Sequence, residues 1–220
     1  METPTSIVSR FGGNDHALIE SGLLADYEVE CDGKTWRLHK VILCSRSSFF
    51  KKLILDYPSQ VKTGNHVAIL DFNAQQMGLV ISYIYAGNIQ FNCMVQKGER
   101  LQTAIQLLIL DAYFDVDNLY EDVNNHLYDY MIPQILISAR LGDLSVDLKD
   151  WVAAGRLVYS GFSKARDKIK EDFLKITFDF PDLRKQILKS PEFKELCLKY
   201  RDFSSDSMLK LLKDGIIVPQ

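Results

Sequence analysis

Residues 26–91 change hydrophobic period in a set order, and that order leaves few folds open to the chain. Asp26 to Cys31 alternates, with Tyr27, Val29 and Cys31 on one side and Asp26, Glu28 and Glu30 on the other, the period of a half-buried strand. Asp32 and Gly33 accept the positive φ of a two-residue hairpin turn, and Trp36 and Leu38 carry the pattern into a second strand. Val41 to Cys44 then reads as a short apolar helix. Ser47 or Ser48 can cap another, which carries Phe49, Phe50, Leu53 and Ile54 until Tyr57-Pro58 breaks it. After a polar loop at 59–65, Val67 to Phe72 reads as a third strand, more uniformly apolar than the first two and so more buried. Asn73 caps a helix whose Met77, Val80, Ile81, Ile84 and Tyr85 form one stripe. Gly87-Asn88 ends it and turns into a short strand, Ile89 to Phe91.

On either side of this stretch the pattern is helical. Residues 15–24 predict a short helix capped by Asp15 and stopped by Gly22. Leu101 to Phe114 is apolar on more than one side, with Leu101, Ile105, Leu108 and Ala112 as its core line, so it is buried on several faces or forms an interface. Another helix covers 118–131. From Pro133 onward no strand pattern recurs. Trp151, Ala154 and Val158 make one stripe, and Ile169, Phe173, Ile176 and Phe180 another. Ser190-Pro191 opens a helix bearing Phe193, Leu196, Cys197 and Tyr200, and a last short helix carries Met208, Leu211 and Leu212 and stops at Gly215. The expected organisation is a flexible segment over 1–16, an α+β domain over 17–131, and a helical extension over 132–220 that docks on it.

Several function classes lose support at this level. A net charge of −3 gives no electrostatic grip on nucleic acid, and the basic residues Lys164, Arg166, Lys168 and Lys170 are interleaved with Asp167, Glu171 and Asp172. The aromatic residues fall on helical stripes rather than on basic strands, so they read as core. No apolar run reaches the ~18 residues that would span a bilayer, and METPTSIVSRF lacks a signal-peptide core, so the expected compartment is the cytosol or nucleus. Cys31, Cys44, Cys93 and Cys197 show no metal-binding spacing and read as free, buried thiols. Of the histidines, His16, His66 and His126 stand in polar segments as surface residues. His39 would need partners to act as a base or ligand. It has no histidine at i+4 and no acid pair nearby, so it reads as structural. Neither a G-x-S-x-G elbow nor a phosphate-binding glycine loop is present. No catalytic residue, metal or cofactor is expected.

The ordered motifs resemble the BTB/POZ domain, a protein-interaction module. Asp26 opens the first strand, His39-Lys40 follows the second, Ser47 to Phe50 forms the next turn, and Tyr85-Ala86-Gly87 ends the stripe-bearing helix. The fold signature is thus Asp26, His39, Lys40, Ser47, Phe50, Tyr85 and Gly87, and LILDAYFDVDNL at 108–119 is similar to the family's next helix and exit. The C-terminal part is similar to fungal members, with a tryptophan-led helix (Trp151 to Tyr159) and a Pro-Glu-Phe helix start (Pro191 to Phe193). Together these cover most of residues 17–200.

What the resemblance implies is a small sheet packed against a helical cluster, followed by further helices. It also implies a non-catalytic role in homodimer or hetero-oligomer formation. The candidate interface is Ile7, Val8, Leu18, Ile19, Leu23 and Leu24, in a segment either exchanged between protomers or packed within its own chain. One alternative is a substrate adaptor for a cullin-3 ubiquitin ligase, with Leu55, Asp56, Tyr113 and Phe114 as candidates to face the cullin. Another is a transcriptional co-regulator acting through a DNA-binding partner. Two departures from the family stand out. Asp111 occupies a position usually small, and Ser59, Gln60 and Val61 lack the acid of the hydrophobic–x–acidic motif common in cullin-3 recruiters. Leu55-Asp56 is the nearest substitute and lies earlier.

Overall fold

The computed structural model describes residues 14–56, 65–88, 98–142, 145–161 and 166–217. Expectations for Ile7, Val8, Tyr57-Pro58, the loop at 59–61, Cys93 and a strand at Ile89 to Phe91 lie outside them. The chain divides into two compact units, Met1–Gln90 with Leu110–Val123, and Phe91–Ile109 with Asn124–Gln220.

The first unit opens with helix α1 (Asn14–Ser21), ended by Gly22 in the left-handed conformation. Strands β1 (Tyr27–Cys31) and β2 (Lys34–Leu38) form the anticipated antiparallel hairpin, with Tyr27 opposite Leu38 and Cys31 opposite Lys34. Its turn places both Asp32 (φ 50°) and Gly33 (φ 74°) at positive φ, the geometry that follows the strands' own twist. Helices α2 (Lys40–Arg46) and α3 (Ser48–Leu55) follow, and Ser47, not Ser48, caps α3 by accepting the Phe50 N–H. Strand β3 (His66–Ile69) pairs parallel to β1, so the sheet runs β2-β1-β3. Tyr27, Val29, Cys31, Trp36, Leu38, Val67 and Ile69 are buried, all on one face. β3 is shorter than its apolar run. Past Ile69 the chain turns, and the Phe72 ring packs on Tyr113 (4.9 Å between centroids) instead of extending the sheet. Helix α4 (Ala74–Ala86) starts in a reciprocal capping box of Asn73 and Gln76 and buries the expected stripe.

Helix α5 (Arg100–Phe114) passes from the second unit into the first. It is buried on more than one side, through Leu101, Ala104, Ile105, Leu107, Leu108, Leu110 and Phe114, whereas Ala112 of the expected core line is exposed. Asp111, the unusual residue, receives the Val116 N–H at 3.1 Å and so fixes the chain where it leaves the helix. The helix expected over 118–131 resolves into α6 (Leu119–His126) and a π-helical turn (Leu127–Met131). The wider turn points Leu127 and Met131 inward and leaves Tyr128 and Tyr130 outside. His126 lies half-buried against the Tyr130 ring, not on the surface, and burial followed by the Arg100 charge holds its pKa below the ordinary value.

The second unit continues with α7 (Ile132–Leu141), α8 (Ser145–Tyr159), α9 (Asp167–Phe178), α10 (Pro181–Lys189), α11 (Pro191–Lys199) and α12 (Arg201–Lys213). Trp151 stacks on Phe173 and donates its indole N–H to Thr177 Oγ1 at 3.0 Å. Phe203 meets both rings at 6.0 and 6.2 Å. The stripe ending at Phe180 is cut short at Phe178. Pro181 forbids helical backbone at the residue before it, and Phe180 adopts φ −102°, ψ 108°. The next helix, α10, has only Leu183 and Ile187 buried, too sparse a pattern to announce itself. In α12 the buried line is Phe203, Ser207 and Leu211, and Met208 is exposed.

One buried carboxylate secures the start of α5 within this unit. Asp150 of α8 accepts the Leu101 and Gln102 N–H groups, both at 2.8 Å, satisfying two donors that a helix start leaves open. Burial pushes its pKa up despite these two bonds, and Asp147 and Glu99 add to the shift. A carboxyl that holds its proton more tightly when folded contributes most to stability below the unfolded value of about 3.9 and less as pH rises through the folded value. The stability of the wild type minus that of Asp150→Asn, measured by urea unfolding from pH 4 upward, is therefore expected to shrink with pH and then level off. A difference that grows with pH would contradict this assignment.

Candidate protein-docking site

In the first unit the sequence motifs converge on one joint between the hairpin, α2 and the end of α4. Asp26 precedes β1, and its carboxylate accepts the backbone N–H of Lys40 at 2.8 Å, so the first donor of α2 is satisfied by a residue from another element. His39 stands immediately before α2 and is buried. Its backbone N–H donates to the Tyr85 hydroxyl oxygen at 2.9 Å, and the same hydroxyl lies 2.9 Å from Nδ1. Nε2 lies 2.7 Å from the Leu23 carbonyl. A carbonyl only accepts, so Nε2 carries the hydrogen. The Tyr85 O–H, already accepting from the backbone, then donates to Nδ1. Every polar atom of the imidazole is thus used structurally. Burial pushes the Tyr85 phenol up to about 12, further from ionisation than an ordinary tyrosine.

Gly87 ends α4 at φ 63°, a conformation that costs a side-chain-bearing residue about 1–2 kcal/mol. The turn leaves the Ile84 and Tyr85 carbonyls open, and Arg46 Nη1 reaches them at 2.8 and 3.3 Å. Arg46 Nη2 pairs with Asp15 at 2.7 Å, so Asp15, expected as a helix cap, instead ties α1 to this point. Ser47 and Phe50 belong to a second seam. The Ser47 hydroxyl donates to the Phe114 carbonyl at 2.6 Å, the Ser48 N–H to the Asp115 carbonyl at 3.0 Å, and the Asp117 N–H to the Arg46 carbonyl at 3.0 Å. Phe50 is fully buried and stacks on Phe114. Lys40 Nζ bonds to Asn65 and sits 5.8 Å from the Tyr27 ring.

These seams hold apolar side chains out in solvent. Leu23 and Leu24 are 62% and 84% exposed, Val41 at the start of α2 is 75% exposed, and Leu18 and Ile19 are half-buried. On α3 and at the end of α5, Leu55 and Tyr113 are 60% and 41% exposed, and Asp56 is exposed. Tyr113 lies over Phe49 and Phe72, with its hydroxyl on Asp71. Phe114, expected beside Tyr113 on that surface, is fully buried, because residues 113 and 114 of a helix point about 100° apart and only one can face out. Arg46 went unread in the sequence. The available signal was a lone cation in the last turn of an apolar helix, but nothing local names the carbonyls it serves. The exposure of Val41 and Leu70 was likewise not legible.

Among the described residues no cluster of three or more His, Cys, Asp and Glu could hold a metal. Cys31, Cys44 and Cys197 are free, and burial is the largest cause raising each thiol's pKa, which opposes thiolate chemistry. No helix among the described residues is long and apolar enough to cross a membrane.

A model of the BTB/POZ domain family matches residues 16–130. The chain is similar to human Kelch repeat and BTB domain-containing protein 4, with 27% identity over 111 residues, covering 50% of this chain and 19% of the relative. Rat Kelch repeat and BTB domain-containing protein 8 is 24% identical over 119 residues, 53% of this chain and 19% of the relative. Human Kelch repeat and BTB domain-containing protein 2 is 27% identical over 101 residues, 41% of this chain and 16% of the relative. The chain therefore matches about a fifth or less of the length of these relatives.

Replacing Tyr85 by Phe removes the hydroxyl and leaves the His39 N–H and Nδ1 buried without their partner. The expected cost is about 1–3 kcal/mol, read as a lower urea midpoint with unchanged slope. A shift within error would mean the joint does not depend on this bond.

Proposed function

The chain belongs to the BTB/POZ domain family, and on that premise we propose that it is a non-catalytic module working by burial of apolar surface between polypeptides, first of all between copies of itself. The family's domain is a protein-interaction module. The observation that carries the reading is a set of leucines and a valine, each 60% exposed or more, mounted on elements locked by buried hydrogen bonds. Rigid mounting matters, because a side chain already held in place loses less freedom on binding. Magnitudes also set a condition. Burying Leu23 and Leu24 on each of two chains yields about 6–12 kcal/mol at 1.5–3 kcal/mol per leucine, against about 4–15 kcal/mol of association cost. Further surface must therefore join them, and the half-buried Leu18 and Ile19 of α1 are the candidates to supply it. Light scattering of the full chain at micromolar concentration is expected to give at least twice the 25.2 kDa chain mass, falling to one chain when residues 1–24 are removed. One chain mass for the full-length protein would overturn the reading.

A second reading has its own support. Leu55, Leu70 and Tyr113 are exposed, and Tyr113 lies over the Phe49 and Phe72 rings, apolar surface suited to a separate partner. We infer that cullin-3 is a partner for this surface, which would make the protein a ligase adaptor. Pull-down of cullin-3 by the wild type, lost in a Leu55→Asp, Tyr113→Ala variant that keeps its mass in solution, is the expected result. No capture by the wild type removes this second reading alone.

A further inference from the structure

In the second unit, α9 and α12 wall a groove of about 480 Å³, within the ~300–1,000 Å³ of clefts that receive ligands. Each helix gives it one face. From α9 come Asp167, Lys170, Glu171, Leu174 and Lys175, spaced three and four residues apart over about 12 Å, at 1.5 Å per residue. From α12 come Asp206, Leu209, Lys210 and Lys213 at the same spacing, with Asp214 at the helix end. Two such faces present the ridges against which a further helical segment packs, as when an amphipathic peptide is taken into a groove. The apolar part of the lining is Leu174, half-buried, and Leu209, 55% exposed. An apolar side chain laid between them would remove hydrocarbon from water on both sides of the contact.

The charges decide what kind of segment fits. Lys175 Nζ lies 2.9 Å from Glu171 and 3.7 Å from Asp172, and Lys210 Nζ lies 2.7 Å from Asp179 and 3.0 Å from Asp214. Each of these ammonium groups is thus held between two carboxylates. The bonds from Glu171 and Asp179 are the largest causes that raise the two lysines above the ordinary lysine pKa. A carboxylate so engaged keeps acceptor capacity, because its two oxygens offer about four lone-pair sites. With Asp172 and Asp179 included, six carboxylates stand against the four ammonium groups of the lining, a net charge of −2. Nucleic acid, an anionic membrane and a second copy of the same groove all bring the same sign, and like charges set together oppose binding. We propose that the α9–α12 groove is a docking site for a basic amphipathic segment of another protein, with an apolar side chain against Leu174 and Leu209 and Lys or Arg side chains on the flanking carboxylates. The inference goes beyond the readings above. It lies wholly within the second unit and requires neither self-association nor cullin-3.

The test selects binders to the full chain from a random peptide library and titrates the enriched peptides by fluorescence anisotropy. Two variants are compared with the wild type, Leu209→Ser and the double variant Glu171→Gln, Asp214→Asn, each first shown by circular dichroism to be folded. All three side chains reach solvent, so the fold is expected to survive. Enriched peptides are expected to combine Lys or Arg with large apolar residues and to bind more weakly as salt is added. Their dissociation constants are expected to rise by about tenfold or more in Leu209→Ser, the equivalent of 1.4 kcal/mol. In the charge variant binding weakens and loses much of its salt dependence. No enrichment, or enrichment of acidic or uncharged peptides, overturns the inference. So do basic peptides whose dissociation constants move by less than about twofold in either variant, against the tenfold expected of Leu209→Ser. Single-stranded oligonucleotide and phosphatidylserine vesicles serve as the anionic probes. Binding of either that Leu209→Ser abolishes puts an anionic occupant in the groove and overturns it as well.

Discussion

The Tyr85 hydroxyl sets how the end of α4 meets the entrance to α2, the joint on which the first unit's hairpin and helices converge. It accepts from the His39 backbone and donates to the His39 ring, so a single side chain from the end of α4 sets both the backbone and the rotamer at the entrance to α2. The far side of the same ring then fixes the Leu23 carbonyl. Hydrogen bonds in a buried place are expensive to leave unmade, and this arrangement leaves no polar atom of the imidazole over. The residue most open to a catalytic interpretation is therefore spent on geometry, and what that geometry presents to solvent is hydrocarbon.

The same logic repeats along the unit's other seam. Ser47 both caps α3 and donates to the Phe114 carbonyl, and Arg46 closes the open end of α4 while pairing with Asp15 of α1. Each polar side chain answers for an open helix terminus or a loop carbonyl. Apolar residues are thereby freed for two tasks, filling the core and standing exposed where a partner can cover them. In the second unit the work is divided otherwise. Trp151, Phe173 and Phe203 pack ring on ring, and Asp150 accepts two N–H groups at the start of α5.

Much of this was legible before any coordinate. The strand–turn–strand–helix order, the Asp32-Gly33 turn, the Asn73 cap and the Gly87 stop are local statements, each written within four or five residues. They point to the BTB/POZ family, whose model matches the chain. Where local reading went astray, a non-local demand or a neighbouring residue took precedence. β3 stops at Ile69 because Phe72 is wanted by Tyr113, the Asp15 side chain pairs with Arg46 instead of capping α1, and Pro181 ends α9 two residues before its stripe does.

The amino-acid order by itself determined the strand–turn–strand–helix order of the first unit and the places where a cap or turn residue fixes an end, such as Asn73 and Gly87, since period, caps and turn residues act over a few positions. The tertiary structure alone decided which carbonyl His39 would bond, that Arg46 would close α4, that Tyr113 rather than Phe114 would face solvent, and that Leu24 would be held in a conformation leucine avoids. The physical reason is separation along the chain. The His39 and Arg46 contacts join residues 16 and 38 positions apart, the others depend on which side of an element the core occupies, and no local pattern encodes either.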